Sequence, residues 1–235
     1  MSVQFASPPA HLPPIHAALA GAPSWAPVAE DAASTQGGLR PIGPAIRFAQ
    51  DQEIYGEGDD AEIFFKVVSG VVRTCKFLSD GRRQIEAFHV AGDLLGFEPG
   101  PGYSLTAEAV CECVLVPYRR RSVEALLMTD EAVSRQVFSH AMRSLSRAQE
   151  HSLLLGRRSA LEKVAAFLID WAQYSPDRNL ATLAMTRLDM ADYLGLTIET
   201  VSRTLSQLER DALIELPATR QIRLKDLAAL QDLNS

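Results

Sequence analysis

Glu199, Ser202 and Arg203 stand at i, i+3 and i+4 of one stretch. That spacing places all three on a single face if the stretch is helical. Their types are those that read base edges. An arginine donates two parallel hydrogen bonds to guanine O6 and N7, and a glutamate accepts from cytosine N4. A serine reaches a base or a phosphate. The Glu199 carboxylate can also orient the Arg203 guanidinium one turn later. Thr200 and Ser206 extend the same polar arc, and Thr197 is placed to cap the helix.

The other reactive residues are sparse. Cys75 stands alone, Cys111 and Cys113 are separated by Glu112, and no Cys lies in the first seventy residues. A disulfide framework, a four-thiolate zinc site and an N-terminal iron–sulfur cluster therefore lack ligands. Cys111 and Cys113 would share one face of a strand, with nothing nearby to activate either thiol. Cys75 with His89 offers a haem-ligand pair, and a small core residue beside a strand-end histidine is the simpler reading. His140 and His151 fall on one side of a helix, where a solvated or interfacial role is expected. No G-x-S-x-G, P-loop, H-E-x-x-H or paired Cys/His set occurs, so no enzyme, metal or cofactor is expected.

The elements that must position Arg203 read as helix, turn, helix. Leu188 to Leu194 is the first helix, and Gly195 is the turn. Ala191, Leu196, Val201 and Leu205 point inward. Behind them, Leu213–Leu216 and Gln221–Leu224 flank Pro217-Ala218-Thr219-Arg220, the pattern of a β-hairpin wing. Upstream, Glu131 to about Leu155 reads as one long helix that Gly156 interrupts. Its Phe138, Ala141, Leu145, Ala148, Ser152 and Leu155 recur at spacings of three and four, the stripe of a coiled-coil seam. Between Ile42 and Tyr118, short apolar runs alternate with Gly/Asp turns, including Leu105 to Val116, and predict an all-β sandwich or barrel. Asp80-Gly81 is a hairpin signal.

The 235 residues are 47% hydrophobic and carry a net charge of −6. No apolar run approaches the roughly 20 residues that cross a bilayer, and the N-terminus lacks a signal pattern, so no membrane partner and a cytoplasmic location are expected. Residues 181–235 hold six basic and eight acidic side chains. DNA binding must then rest on a few well-placed arginines rather than on bulk charge.

Ala184-Met185-Thr186-Arg187, Asp189 and the run Tyr193 to Arg203 resemble the DNA-binding domain of CRP/FNR transcription regulators. Glu199, Ser202 and Arg203 form the E-x-x-S-R pattern of the FNR side. Gly92-Asp93-Leu94-Leu95-Gly96-Phe97, Leu153-Leu154-Leu155 and Leu161 to Leu168 extend the resemblance from about Ile46 to the C-terminus. It implies an α+β chain: a β-roll of the cyclic-nucleotide-binding, jelly-roll type, a long dimerisation helix and a C-terminal winged helix-turn-helix. The expected ranges are a flexible extension at 1–40, the sensor-like β-roll at 41–121, the dimerisation region at 122–156 and the DNA-binding domain at 157–235. It also implies a homodimer on double-stranded DNA with TTGAT-type half-sites. Arg187 and Ile198 join the expected DNA-contacting set. Ser79, Asp80 and Gly81 resemble the loop through which FNR-type activators touch RNA polymerase.

Two departures bear on control. Cyclic-nucleotide binders of this family carry Glu directly after the Gly of the G-D-x-x-G-E loop and a later Arg-Ser pair. Here Phe97 follows Gly96, and Tyr103-Ser104 stands where Arg-Ser would, so no cAMP response is expected. The missing N-terminal cysteines point to the FixK-like branch, which has no cluster and serves microaerobic or nitrogen-fixation control. A ligand- or haem-gated sensor of the same family is the alternative.

Overall fold

β-Branched and aromatic runs broken by Gly and Asp form eight strands: β1 (Ile46–Phe48), β2 (Glu53–Tyr55), β3 (Ile63–Ser69), β4 (Val72–Phe77), β5 (Arg83–His89), β6 (Leu94–Leu95), β7 (Thr106–Ala109) and β8 (Cys113–Arg119). The structure is a computed structural model and describes residues 40–157 and 159–233. The expected extension at 1–40 thus lies outside the described residues, apart from Arg40. The strands pair antiparallel in two four-stranded sheets, ordered β1-β8-β3-β6 and β2-β7-β4-β5. Phe65, Val67 and Leu115 from the first sheet and Ile54, Val72 and Ile85 from the second are buried in the core.

The Asp80-Gly81 signal forms the β4–β5 hairpin, with Gly81 at φ +85° and its N–H donating to the Leu78 carbonyl. The Leu105 to Val116 run is not one strand. It breaks between Ala109 and Cys113, leaving Cys111 in the connection, so Cys111 and Cys113 do not share a strand face. The break lies against the β3–β4 turn at Gly70. A Cβ on Gly70 would come within 2.5 Å of Cys113 Cβ, so the two turns approach only because Gly70 has no side chain.

Strand β8 runs directly into α1 (Arg120–Leu127), followed by α2 (Glu131–Arg157). Helix α2 runs one residue past Gly156 and ends at Arg157, so the interruption falls where the sequence placed it, between Gly156 and Ser159. The next helix, α3 (Ala160–Ala172), starts where Ser159 and Glu162 form a capping box.

Then come β9 (Leu180–Thr182), α4 (Arg187–Leu194), α5 (Ile198–Arg210), β10 (Ile214–Ala218), β11 (Gln221–Leu224) and α6 (Leu227–Asp232). The predicted wing gains a third strand, since β9 pairs with β11 from its other side. Val164, Leu168, Met190, Leu194, Val201, Leu205, Leu208 and Ile222 fill this second core. The two parts meet at Phe88 of β5, whose ring lies 5.8 Å from Trp171 and 5.3 Å from Tyr193. Among the described residues, no helix is long and apolar enough to cross a membrane.

Candidate nucleic-acid interface

Helix α4 begins at a second capping box. Thr186 Oγ1 accepts from the Asp189 N–H, and the Asp189 carboxylate accepts from the Thr186 N–H. The helix ends at Gly195, which adopts φ +61°, a left-handed conformation that glycine takes without a Cβ penalty. Thr197 then caps α5, its hydroxyl accepting from the Thr200 N–H. These three local signals fix the turn between the two helices.

Helix α5 is strongly two-faced. Val201, Thr204, Leu205 and Leu208 are buried, whereas Ile198, Glu199, Arg203 and Ser206 are exposed and Thr200 and Ser202 are half-buried. Residues 199, 202, 203 and 206 therefore line one outward face, as a 3.6-residue repeat requires. Arg187, half-buried on α4, reaches the same surface, its guanidinium donating to Ser202 Oγ at 3.4 Å. The guanidiniums of Arg187 and Arg203, the Glu199 carboxylate, the Ser202 and Ser206 hydroxyls and the Ile198 side chain thus share one outward surface. The polar groups suit base edges and phosphates, and an aliphatic group suits a thymine methyl.

One detail differs from the sequence reading. Among the described residues, no ion pair joins Glu199 to Arg203. The Glu199 carboxylate is lowered first by its own backbone N–H, then by the Thr197 hydroxyl, with Arg203 contributing only at longer range. Both side chains are exposed, and the Arg203 fork is free among the described side chains.

On α2, Phe138, Ala141, Leu145, Ala148 and Ser152 are all exposed in the single chain, as is the neighbouring Met142. Phe138 is 67% exposed. Leu155, the last residue of the expected stripe, is half-buried, and a Cβ on Gly195 would meet its side chain at 3.3 Å. It therefore packs toward the helix-turn-helix.

The β-sandwich pocket region is filled by aromatic rings. Tyr103 stacks on Tyr55 with ring centroids 3.8 Å apart, and its hydroxyl donates to the Ile63 carbonyl. Phe97 packs edge-on against Phe64, and Ser104 Oγ donates to the Glu98 carboxylate at 3.0 Å. Burial pushes the Cys75 thiol up to about 11 and the Cys113 thiol up to about 12, the opposite of activation. His89 lies one strand away from Cys75, its ring bonded to Thr74 Oγ1. His151 is buried and stacks on Tyr193, so it does not share a solvated face with His140.

Sequence reasoning missed the groups that hold α4 from outside. Arg73 and Arg83 both reach Asp189, from 116 and 106 residues away. No local pattern announces a partner at that distance.

Comparison with known proteins agrees with this layout. A model of the cyclic nucleotide-binding domain matches residues 45–130, and one of the Crp-like helix-turn-helix domain matches residues 162–233. The nitrogen fixation regulation protein FixK of Azorhizobium caulinodans is 49% identical over 197 residues, covering 82% of this chain and 79% of its own. The protein of that name from Rhizobium meliloti is 41% identical, covering 77% and 83%. The solved structure of FixK2 from Bradyrhizobium japonicum matches with a TM-score of 0.78 at 41% identity, over 83% of this chain and 98% of that one.

Proposed function

The chain belongs to the CRP/FNR family of transcription regulators, among the FixK proteins, and we propose from that premise that it acts as a homodimer reading an FNR-type TTGAT palindrome. It binds DNA through its Crp-like helix-turn-helix. It regulates nitrogen-fixation or microaerobic genes, mainly as an activator that contacts RNA polymerase in the cytoplasm.

The observation that carries this reading is the exposed face of α5. Arg203 lies there unpaired among the described side chains, beside Glu199 and Ser202. In a helix-turn-helix, the N-terminal outward residues of the second helix enter the major groove. Arg203 is assigned to the guanine of TTGAT, Glu199 to a cytosine N4, and Ile198 to a thymine methyl. Thr197, Thr200, Ser202, Ser206 and Arg187 serve the remaining base or phosphate contacts.

The exposed stripe from Phe138 to Ser152 supports pairing of α2 with its copy across a two-fold axis. A palindrome suits that symmetry, with half-sites about one helical turn apart. The β4–β5 hairpin tip supports a polymerase contact. Ser79, Asp80 and Gly81 are exposed with Phe77 and Leu78 beside them. Asp80 accepts from the Arg82 backbone and guanidinium, which orders the tip.

A cyclic nucleotide is not expected to bind. The Tyr55–Tyr103 stack occupies space in the β-sandwich, and Glu98 stands beside Ser104 where a cation would be needed. A phosphate buried next to a carboxylate with no guanidinium is strongly disfavoured.

Arg203→Ala and a change of the half-site G·C pair to A·T test the α5 assignment together. Each alone is expected to cost about 1–3 kcal/mol per half-site, as one bidentate contact is worth. Combined, they should cost little more than either one. Full additivity would mean that Arg203 does not read that base pair.

A further inference from the structure

We infer that Arg73, Arg83, Gln84, His151 and Lys163 form a two-ended clamp on helix α4 that fixes the recognition helix against the rest of the chain without touching DNA. They are positioning residues for DNA recognition, and the inference rests on α5 being the reading helix.

The first end grips a side chain. Asp189, at the third position of α4, is 2% exposed. Its Oδ1 accepts from Arg83 Nη2 at 2.6 Å and from Arg73 Nη1 at 3.2 Å. Arg83 also donates to Asp192 Oδ2, one turn along the same helix, at 2.9 Å through Nε. Glu108 of β7 lies behind both arginines, 2.8 Å from Arg73 Nε and 3.5 Å from Arg83 Nη1. Asp51 takes the remaining Arg73 nitrogen at 3.2 Å. Both arginines therefore span β4 and β5 on one side and α4 on the other. Burial raises the Asp189 carboxyl, but the Thr186 bonds and the two guanidiniums outweigh it and hold it below the ordinary range.

The second end grips backbone. The last carbonyls of a helix have no partner within it. Here three of them are taken by side chains from three other elements. Gln84 Nε2 of β5 donates to the Asp192 carbonyl at 2.7 Å. His151 Nε2 of α2 lies 2.8 Å from the Tyr193 carbonyl, with its ring stacked on the Tyr193 ring at 4.0 Å. Lys163 Nζ of α3 donates to the Leu194 carbonyl at 3.1 Å.

A buried ionic cluster of this kind is a poor source of net stability, because desolvation offsets most of the Coulomb gain. What it supplies is geometry. Guanidinium forks accept few arrangements of carboxylates, and α4 is held at both ends to the hairpin, the long helix and α3. Gly195 and the Thr197 cap then carry that orientation into α5.

The test is a double-mutant cycle of Arg83→Ala and Asp192→Ala in the full-length protein. Two readouts are used: affinity for a TTGAT palindrome, and amide hydrogen exchange of residues 187–194. Each single variant is expected to weaken specific binding about tenfold and to speed exchange in α4, with exchange in β3 unchanged. The double variant should be no worse than the weaker single. The dependence of affinity on salt should keep the wild-type slope, because no phosphate contact is removed. A slope reduced by about one would place Arg83 on the DNA and overturn the clamp. So would additive losses, or unchanged exchange in α4. Arg203→Ala, run alongside, should lose binding with α4 exchange intact. If wild type itself shows no preference for the palindrome, the DNA reading fails, and the exchange cycle still decides whether α4 is clamped.

Discussion

The role proposed for Arg203 rests on its guanidinium being exposed and unpaired among the described side chains. Arg203→Lys keeps the charge but loses the planar fork. It should bind a scrambled duplex as wild type does, with the same salt slope, and lose discrimination for the palindrome. Retained discrimination in a competition assay would show that charge alone suffices. His89 makes a different prediction. Burial lowers its pKa to about 4, with Asp93 opposing and Arg147 and His140 reinforcing, so the folded ring stays neutral. The unfolded chain takes up that proton near 6.5. Stability is therefore whole above about pH 6.5 and falls as pH drops toward 4. His140 and His151 are lowered as well and add to the same trend. The melting temperature should drop between pH 7 and 5, and His89→Gln should flatten that drop. An unchanged slope in the variant would remove His89 as a contributor. The shared outward face of Glu199, Ser202, Arg203 and Ser206 was legible because their spacing is local. That same spacing offered a Glu199–Arg203 pair, and no such ion pair forms among the described residues, where Arg203 acts on Glu199 only at longer range.

Helix α2, at 27 residues and about 40 Å, offers a stripe that the single chain leaves uncovered. An exposed Phe138, Met142 and Leu145 on one helix is the kind of apolar surface that marks an interface. Leu145→Glu places like charges opposite each other across a two-fold axis. Sedimentation should show wild type as a dimer and the variant as a monomer, with specific DNA binding lost in parallel. A monomeric wild type at micromolar concentration would contradict the seam. Element by element, the hairpins, the long helix and the helix-turn-helix were legible from turn chemistry and periodicity. Gly156 marked the end of the long helix to within one residue, and the Ser159–Glu162 capping box starts the next. Strand β9 was missed because Leu180-Ala181-Thr182 is too short to show alternation and forms only against β11.

In the whole molecule, the β-sandwich carries the stacked Tyr55 and Tyr103 rings inside, and strand β5 holds α4 through Arg83 and Gln84. None of the long-range ties was legible, since each joins residues scores of positions apart and only folding makes them neighbours. The account centres on a reading face that is held ready without an effector. Fluorescence anisotropy tests this most directly. Wild-type protein is titrated onto a TTGAT palindrome and onto a scrambled duplex at one near-physiological salt concentration, with and without cAMP, because affinity shifts steeply with salt. The account predicts tight, palindrome-specific binding that cAMP leaves unchanged. Equal affinity for the two duplexes, or specificity that appears only when cAMP is added, would contradict it.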